Sequence, residues 1–265
     1  MLTMGRATLS SAATVLLTAI ALSGGSMACA PPGESGDVDG RTVEVRVMAA
    51  SSLSAVFTTM IEDFEAENPK VKVVPTFAGS ATLATQIRQG SPFEVVALAD
   101  SETMDKLVAS GEVATGSVKL FAENRLAIVV PKGNPWGIRN LGDLTQDGPV
   151  VAMCNADQPC GRYTIELMVK NGVTISPLTL ETSASAVVSR VATGEADAGV
   201  AYATDGLGKN VDIIVIPENR NVPVDYPIGI VRGGHSSVMA AEMFVDYVLS
   251  ETGREILTAA GFIVR

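Results

Sequence analysis

The chain has 265 residues, 47% of them hydrophobic but only 5% aromatic, and its 29 acidic and 19 basic side chains give a net charge of −10. That length allows two modest domains or one large one. The acidic balance argues against nucleic acid and against adsorption to anionic lipid, and the shortage of aromatics predicts a core of Ala, Val, Ile and Leu.

The N-terminus has an export plan. Arg6 precedes an apolar run, Ala12 to Leu22, and then Ser23-Gly24-Gly25-Ser26-Met27-Ala28-Cys29, which gives a basic start, an apolar centre and small residues at the cut. The run falls short of the roughly 20 residues that span a bilayer. Ala28-Cys29 resembles a lipobox, in which the cysteine is lipidated and becomes the new N-terminus; Ser26 stands where Leu is usual, so plain cleavage after Ala28 is the alternative. The expectation is a signal peptide over 1–28, then an anchor cysteine and a flexible Pro/Gly/Ser-rich tether over 29–40, with the protein held on the outer face of the cell membrane. Loss of Arg6 with the leader takes the charge to −11.

Strand and helix patterns then alternate. Val43–Met48, Val71–Phe77 and Val95–Ala99 are short Val-rich apolar runs that predict buried strands. Leu53, Val56, Phe57, Met60, Ile61 and Phe64 recur at helical spacing until Asn68-Pro69. Thr82–Arg88 and Glu102–Ala109 predict further helices. A second unit begins near Arg125, with strands at Arg125–Pro131 and Pro149–Met153 and helices at Arg162–Lys170 and Ser183–Thr193. Strands at Ala198–Tyr202 and Val211–Ile216 follow, then a return strand at Tyr226–Val231 and closing helices at Ser236–Leu249 and Thr252–Ala260. Such alternation implies an α/β fold with a largely parallel sheet. The simplest layout is two lobes, 41–124 with 226–265 and 125–225, around a central ligand cleft.

Three helix starts concentrate hydrogen-bond donors. Ser51-Ser52-Leu53 follows the first strand, Gly79-Ser80 the second, and Pro159-Cys160-Gly161 opens a later helix. A helix N-terminus has unpaired N–H groups and a partial positive charge, so it holds an anion without a cationic side chain. That reconciles an anion ligand with an acidic chain, because exposed charges beyond about 10 Å are screened at 0.1 M salt. Cys154 and Cys160 predict a short-loop disulfide in an exported chain; a metal site is the rival, although two cysteines without a nearby His or third Cys suit zinc poorly.

The ordered set of motifs resembles the molybdate-binding proteins of ABC transporters, which are class II solute receptors with two lobes. Val47-Met48-Ala49-Ala50-Ser51-Ser52-Leu53 and Phe77-Ala78-Gly79-Ser80-Ala81-Thr82-Leu83, followed by Gln86-Ile87, match the first two signatures. Phe93 to Asp100, Gly194 to Tyr202 and Gly253–Phe262 match later ones. The resemblance covers nearly all of Val43 to Arg265. It implies a periplasmic-binding-protein-like fold in which a tetrahedral molybdate or tungstate dianion is held by neutral donors. Ser52 and Ser80 match the two serines, Cys160 and Ala184 fall at positions that donate a backbone N–H, and Tyr202 matches a tyrosine whose hydroxyl completes the set. Ser183-Ala184-Ser185 departs from the family text, a change that a backbone donor tolerates. It further implies a monomer that delivers its anion to a membrane permease driven by a cytoplasmic ATPase, with no cofactor and no directly bound metal. A donor-only set leaves the proton of a protonated oxyanion without an acceptor, at about 1–3 kcal/mol, so fully ionised molybdate, tungstate or sulfate is preferred, with a sulfate receptor as the alternative.

Blander readings compete at each position. Ser51, Ser52 and Ser80 could be ordinary N-caps worth about 1 kcal/mol each, and Tyr202 a core aromatic with a satisfied hydroxyl. Trp136 and His235 read as loop residues, the acidic stretch Glu62–Glu67 as a solvated helix face, and Asp100 and Asp205 as caps or loop ties. An enzyme is the contrasting class, and it lacks support: the single His lies far in sequence from the cysteines, and there is no Gly-x-Ser-x-Gly elbow or phosphate-cradling Gly-Lys-Ser loop.

Overall fold

The computed structural model describes residues 42–176, 179–233 and 238–264. The expected leader, Cys29 with its tether, and His235 lie outside them.

Nine strands form one sheet, in the order β2-β1-β3-β9-β4-β7-β5-β6, with β8 also paired to β4. β1 (Val43–Ala50) lies parallel to β2 (Val71–Ala78) and β3 (Val95–Ala97). β5 (Val151–Cys154) lies parallel to β6 (Thr179–Glu181) and β7 (Ala198–Tyr202). β4 (Lys119–Pro131) joins these groups. Its first residues pair antiparallel with β9 (Pro223–Ile230), and its later ones with β7 and β8 (Val211–Val215). The sheet is therefore mixed, which corrects the expected largely parallel arrangement. The reason is that β4 and β9 run between the parallel groups and lie antiparallel to their neighbours.

The helices form where the apolar period dictates. In α1 (Ser54–Glu67) Val56, Phe57, Met60, Ile61 and Phe64 are buried along one face, the spacing that a 3.6-residue period brings to one side. α2 (Ser80–Arg88) and α3 (Ser101–Ala109) cover the opposite face of β1 and β3 through a smaller core around Met48, Leu83, Leu98 and Leu107. α4 (Pro159–Asn171) and α5 (Ala184–Ala192) flank the other parallel group, and α6 (Val238–Leu249) and α7 (Glu251–Ala259) close the chain. The few aromatics join up. Phe64 and Phe57 both meet Phe244 edge-on, at 5.4 and 6.0 Å, and Phe57, Phe121, Tyr226 and Tyr202 continue the series.

Two elements escape the sequence patterns. β4 starts at Lys119 rather than Arg125, because Glu123 and Asn124 are buried polar residues inside a strand. β6 is a three-residue edge strand with Leu180 60% exposed, so it has no apolar run to reveal it. Trp136 is half exposed and lies beside Gly148, as expected of a loop residue. The Glu62–Glu67 face is mostly solvated, but Asp63 accepts from the Tyr247 hydroxyl at 2.6 Å and Glu65 ties Lys72 and the Val73 amide to α1. No helix of the described residues is long and apolar enough to cross a membrane.

Candidate anion site

Five strand ends converge on one pocket. The carboxyl end of β1 leads through the 3₁₀ turn Ser51–Leu53 into α1, β2 leads through Gly79 into α2, β5 leads into α4, β6 leads into α5, and β7 ends at Tyr202. Ligands of open α/β sheets collect at such ends. The pocket is small, and its twelve lining residues include Ser51, Ser52, Gly79, Ser80, Gln158, Cys160, Ala184 and Tyr202. None of the twelve is an acid or a base. All five residues singled out from the sequence, Ser52, Ser80, Cys160, Ala184 and Tyr202, are brought together here and are buried.

The two serines do not cap. The 3₁₀ turn, α1 and α2 have no side-chain cap hydrogen bond. Ser52 Oγ instead lies 2.9 Å from the Tyr226 hydroxyl, and Ser80 Oγ accepts from the Ala99 amide at 3.1 Å. Leu98 N still bonds Pro227 O of β9 at 2.9 Å, and the next amide, that of Ala99, turns to Ser80. Asp100 and Ser183, by contrast, do cap, accepting from Thr103 N and Ala186 N at the starts of α3 and α5.

Backbone donors come from the other parallel group. Cys160 is in the first turn of α4 behind Pro159, and Ala184 opens α5. The first four amides of a helix have no intrahelical partner, and both residues line the pocket at the positive end of their helix. Cys154 and Cys160 are joined through their sulfurs, with Cα atoms 5.7 Å apart. Gly161 fits beneath this turn because a Cβ there would meet Asn155 O at 1.9 Å.

Tyr202 differs from the expectation of a satisfied core aromatic. Its hydroxyl is buried with no hydrogen-bond partner among the described residues. Burial pushes the phenol far above its ordinary pKa, and the neighbouring Tyr226, Tyr163, Asp205 and Asp100 push it the same way. It therefore stays protonated and can donate. Asp205 tops the next turn, and burial raises its carboxyl to about 7 against a Tyr202 backbone hydrogen bond and Lys209.

Three residues at the site were not foreseen. Gln158 Oε1 accepts from Ala81 N and its Nε2 donates to Thr82 Oγ1, both at 3.3 Å, linking the start of α4 to the start of α2. Arg162 Nη2 reaches Asp100 Oδ2 at 2.6 Å and so ties α4 to α3. Burial raises the Asp100 carboxyl, while Thr103 and Arg162 pull it down. Asn124 donates to Thr204 Oγ1 at 2.8 Å and to the Tyr226 oxygen at 3.5 Å. An Asn inside a strand is disfavoured, and that was the available sequence signal. A Gln before a helix-opening Pro carries no comparable mark.

A shared-strand α/β sheet with a neutral pocket at its strand ends has the form of a solute-binding protein whose pocket suits a small anion. The family model described as bacterial extracellular solute-binding protein matches residues 45–263. The ModA molybdate-binding protein of Mycobacterium tuberculosis is 37% identical over 251 residues, covering 93% of this chain and 95% of the relative. That of Escherichia coli is 29% identical over 233 residues, covering 84% and 90%. Among solved structures, the periplasmic molybdate-binding protein of Azotobacter vinelandii superposes with TM-score 0.74 at 20% identity, over 83% of this chain and 99% of the other. The chain belongs to the bacterial extracellular solute-binding proteins, and among them to the family of the ModA molybdate-binding proteins.

Proposed function

We propose that this chain is the extracytoplasmic receptor of an ABC transporter, capturing molybdate, and tungstate with it, for delivery to a membrane permease driven by an ATPase. The observation that carries the reading is the pocket itself: four helix starts, two partnered serine hydroxyls and the unpartnered Tyr202 hydroxyl converge, with no acid or base in the lining. Hydrogen bonds to a charged acceptor contribute roughly 1.5–3 kcal/mol each, enough in a dry site to replace the water around a dianion. The donors are Ser52 and Ser80 through hydroxyl and backbone, Cys160 and Ala184 through backbone, and Tyr202 through its hydroxyl.

Residues 41–124 with 226–265 act as one lobe and 125–225 as the other, closing over the anion by a hinge motion. Gln158 and Arg162 would then be contacts of the closed form, since each reaches the first lobe from the second. The chain is exported by the leader over 1–28, held by acylated Cys29 on the tether through residue 40, and works as a monomer. The Cys154–Cys160 bridge is structural, stiffening the turn that presents the Cys160 amide. Nothing in the pocket pairs a nucleophile with a base, as a catalyst of this fold would need.

Calorimetric titration of the mature chain with molybdate, tungstate, sulfate and phosphate tests this. Tight one-to-one molybdate binding, with sulfate much weaker and phosphate silent, is the expected result. Sulfate binding as tight as molybdate would move the chain to a sulfate system, and no heat from any of the four would overturn the receptor.

A further inference from the structure

The hydrogen bonds behind Ser52 have a defined direction. Asn124 Oδ1 accepts from the Arg125 amide at 2.8 Å, which fixes the rotation of the side-chain amide and leaves only its NH₂ face toward Tyr226 and Thr204. An amide nitrogen has no lone pair to offer. A Tyr226 proton turned toward Asn124 would set two protons face to face, so the phenol proton points the other way, into Ser52 Oγ at 2.9 Å. Ser52 Oγ is therefore the acceptor in that bond, and its own proton is left for the pocket it lines. The buried phenol holds its proton, because desolvation pushes its pKa well above the ordinary value.

We propose that Asn124 is a positioning residue that, acting through Tyr226, commits the Ser52 hydroxyl to donating into the pocket and so selects oxyanions that carry no proton. Asn124 touches no ligand. It is buried on β4, where its backbone pairs with Val224 of β9, two residues before Tyr226. Ser80 is committed in the same sense by simpler means: its oxygen accepts from the Ala99 amide, and its proton also remains free for the pocket. Each serine oxygen then already accepts one hydrogen bond from the protein, and its proton is the group left to turn toward the ligand. A hydrogen phosphate ion, whose proton needs an acceptor, is served less well by these two hydroxyls than a fully ionised oxyanion is.

This inference rests on the molybdate reading above, and its test separates the two. Asn124→Asp is close to isosteric and replaces the donor that faces Tyr226 with lone pairs. The phenol proton turns to the carboxylate, Ser52 donates backwards to the phenol oxygen, and a serine lone pair faces the pocket. Molybdate affinity is expected to fall by about tenfold or more. Hydrogen phosphate, measured by displacement of molybdate, should lose far less, so the molybdate-to-phosphate ratio drops by about tenfold. A purely electrostatic effect of the new charge would weaken both dianions alike and leave the ratio unchanged, and so would a purely structural one. In a Tyr226→Phe background the link is cut, and adding Asn124→Asp should no longer move the ratio. Tyr226→Phe alone should lower it about two- to fivefold, and carries the test if Asn124→Asp does not fold. An unchanged ratio in Asn124→Asp, or in Tyr226→Phe where the first variant is unfolded, overturns the inference. The same drop with and without the Tyr226 hydroxyl also overturns it. Absence of molybdate binding by the unsubstituted protein would instead overturn the receptor reading itself.

Discussion

The two sides of the pocket are prepared differently. On the β1–β2 side the donors are side chains, and each is already held: Ser52 by the Tyr226 hydroxyl and Ser80 by the Ala99 amide. On the β5–β7 side the proposed donors are first-turn amides and one phenol, and the Tyr202 hydroxyl is buried without a partner among the described residues. One side is preorganised by the protein, whereas the other, on the proposed reading, is completed by the anion. A buried hydroxyl left unpaired costs about 1–3 kcal/mol, a cost that an arriving oxyanion would remove. The asymmetry locates binding specificity on the first side and a ligand-dependent gain in stability on the second.

The comparison breaks most severely if the sides cannot meet. A Cβ at Gly79 would lie 2.3 Å from Gln158 Oε1 and 2.4 Å from Thr182 O, and the second atom is backbone. Overpacking of this kind costs about 1–3 kcal/mol. Gly79→Ala is therefore expected to weaken molybdate binding by up to about 100-fold in calorimetry, while the ligand-free protein melts near the unsubstituted temperature. Unchanged affinity would mean that the sides need not approach as closely as they do here.

Removing a preorganised donor has the next largest effect. Ser52→Ala or Ser80→Ala should each reduce affinity at least about tenfold without unfolding the protein, and wild-type affinity in both would defeat the site assignment. Tyr202→Phe sharpens the contrast because it separates two readouts. Affinity should drop by about three- to tenfold, while the ligand-free protein becomes no less stable, since the change deletes a buried hydroxyl that has no partner. A fall in ligand-free melting temperature would show that the hydroxyl already has a structural role.

The smallest expected effect concerns pH. The Asp205 carboxyl is raised to about 7 by burial, so the folded chain keeps a proton that the unfolded chain releases near pH 4. Its contribution to stability is present below that point and is lost as pH rises toward and through about 7. Asp205→Asn should flatten this slope, with its melting temperature gaining several degrees on the unsubstituted protein at pH 8 relative to pH 5. Parallel melting curves for the two proteins across that range would contradict the assignment.

Much of this was legible in the sequence because it rests on periodicity and on what ends an element. α1 follows from Val56, Phe57, Met60, Ile61 and Phe64 at helical spacing, and β7 coincides with the run Ala198–Tyr202. The five pocket residues fall at strand ends, where topology alone brings sequence-distant segments together. What escaped the sequence depends on contacts between distant segments. Gln158 meets α2 across 77 positions, Asn124 meets Tyr226 across 102, and Arg162 meets Asp100 across 62. No local pattern marks such pairs. The mixed sheet was missed for a related reason: the alternation of elements predicts parallel neighbours, but not which strand returns between them.

The lone tryptophan has an optical consequence. Trp136 lies half exposed against Gly148 and is not among the residues lining the pocket, whereas Tyr202 is one of them and Tyr226 stands directly behind Ser52. Indole emission from this protein would therefore report the surroundings of a surface loop and stay nearly silent as the pocket fills. On the proposed reading the chromophores nearest the anion are phenols, so near-ultraviolet absorbance and tyrosine dichroism are the signals in which occupancy becomes visible.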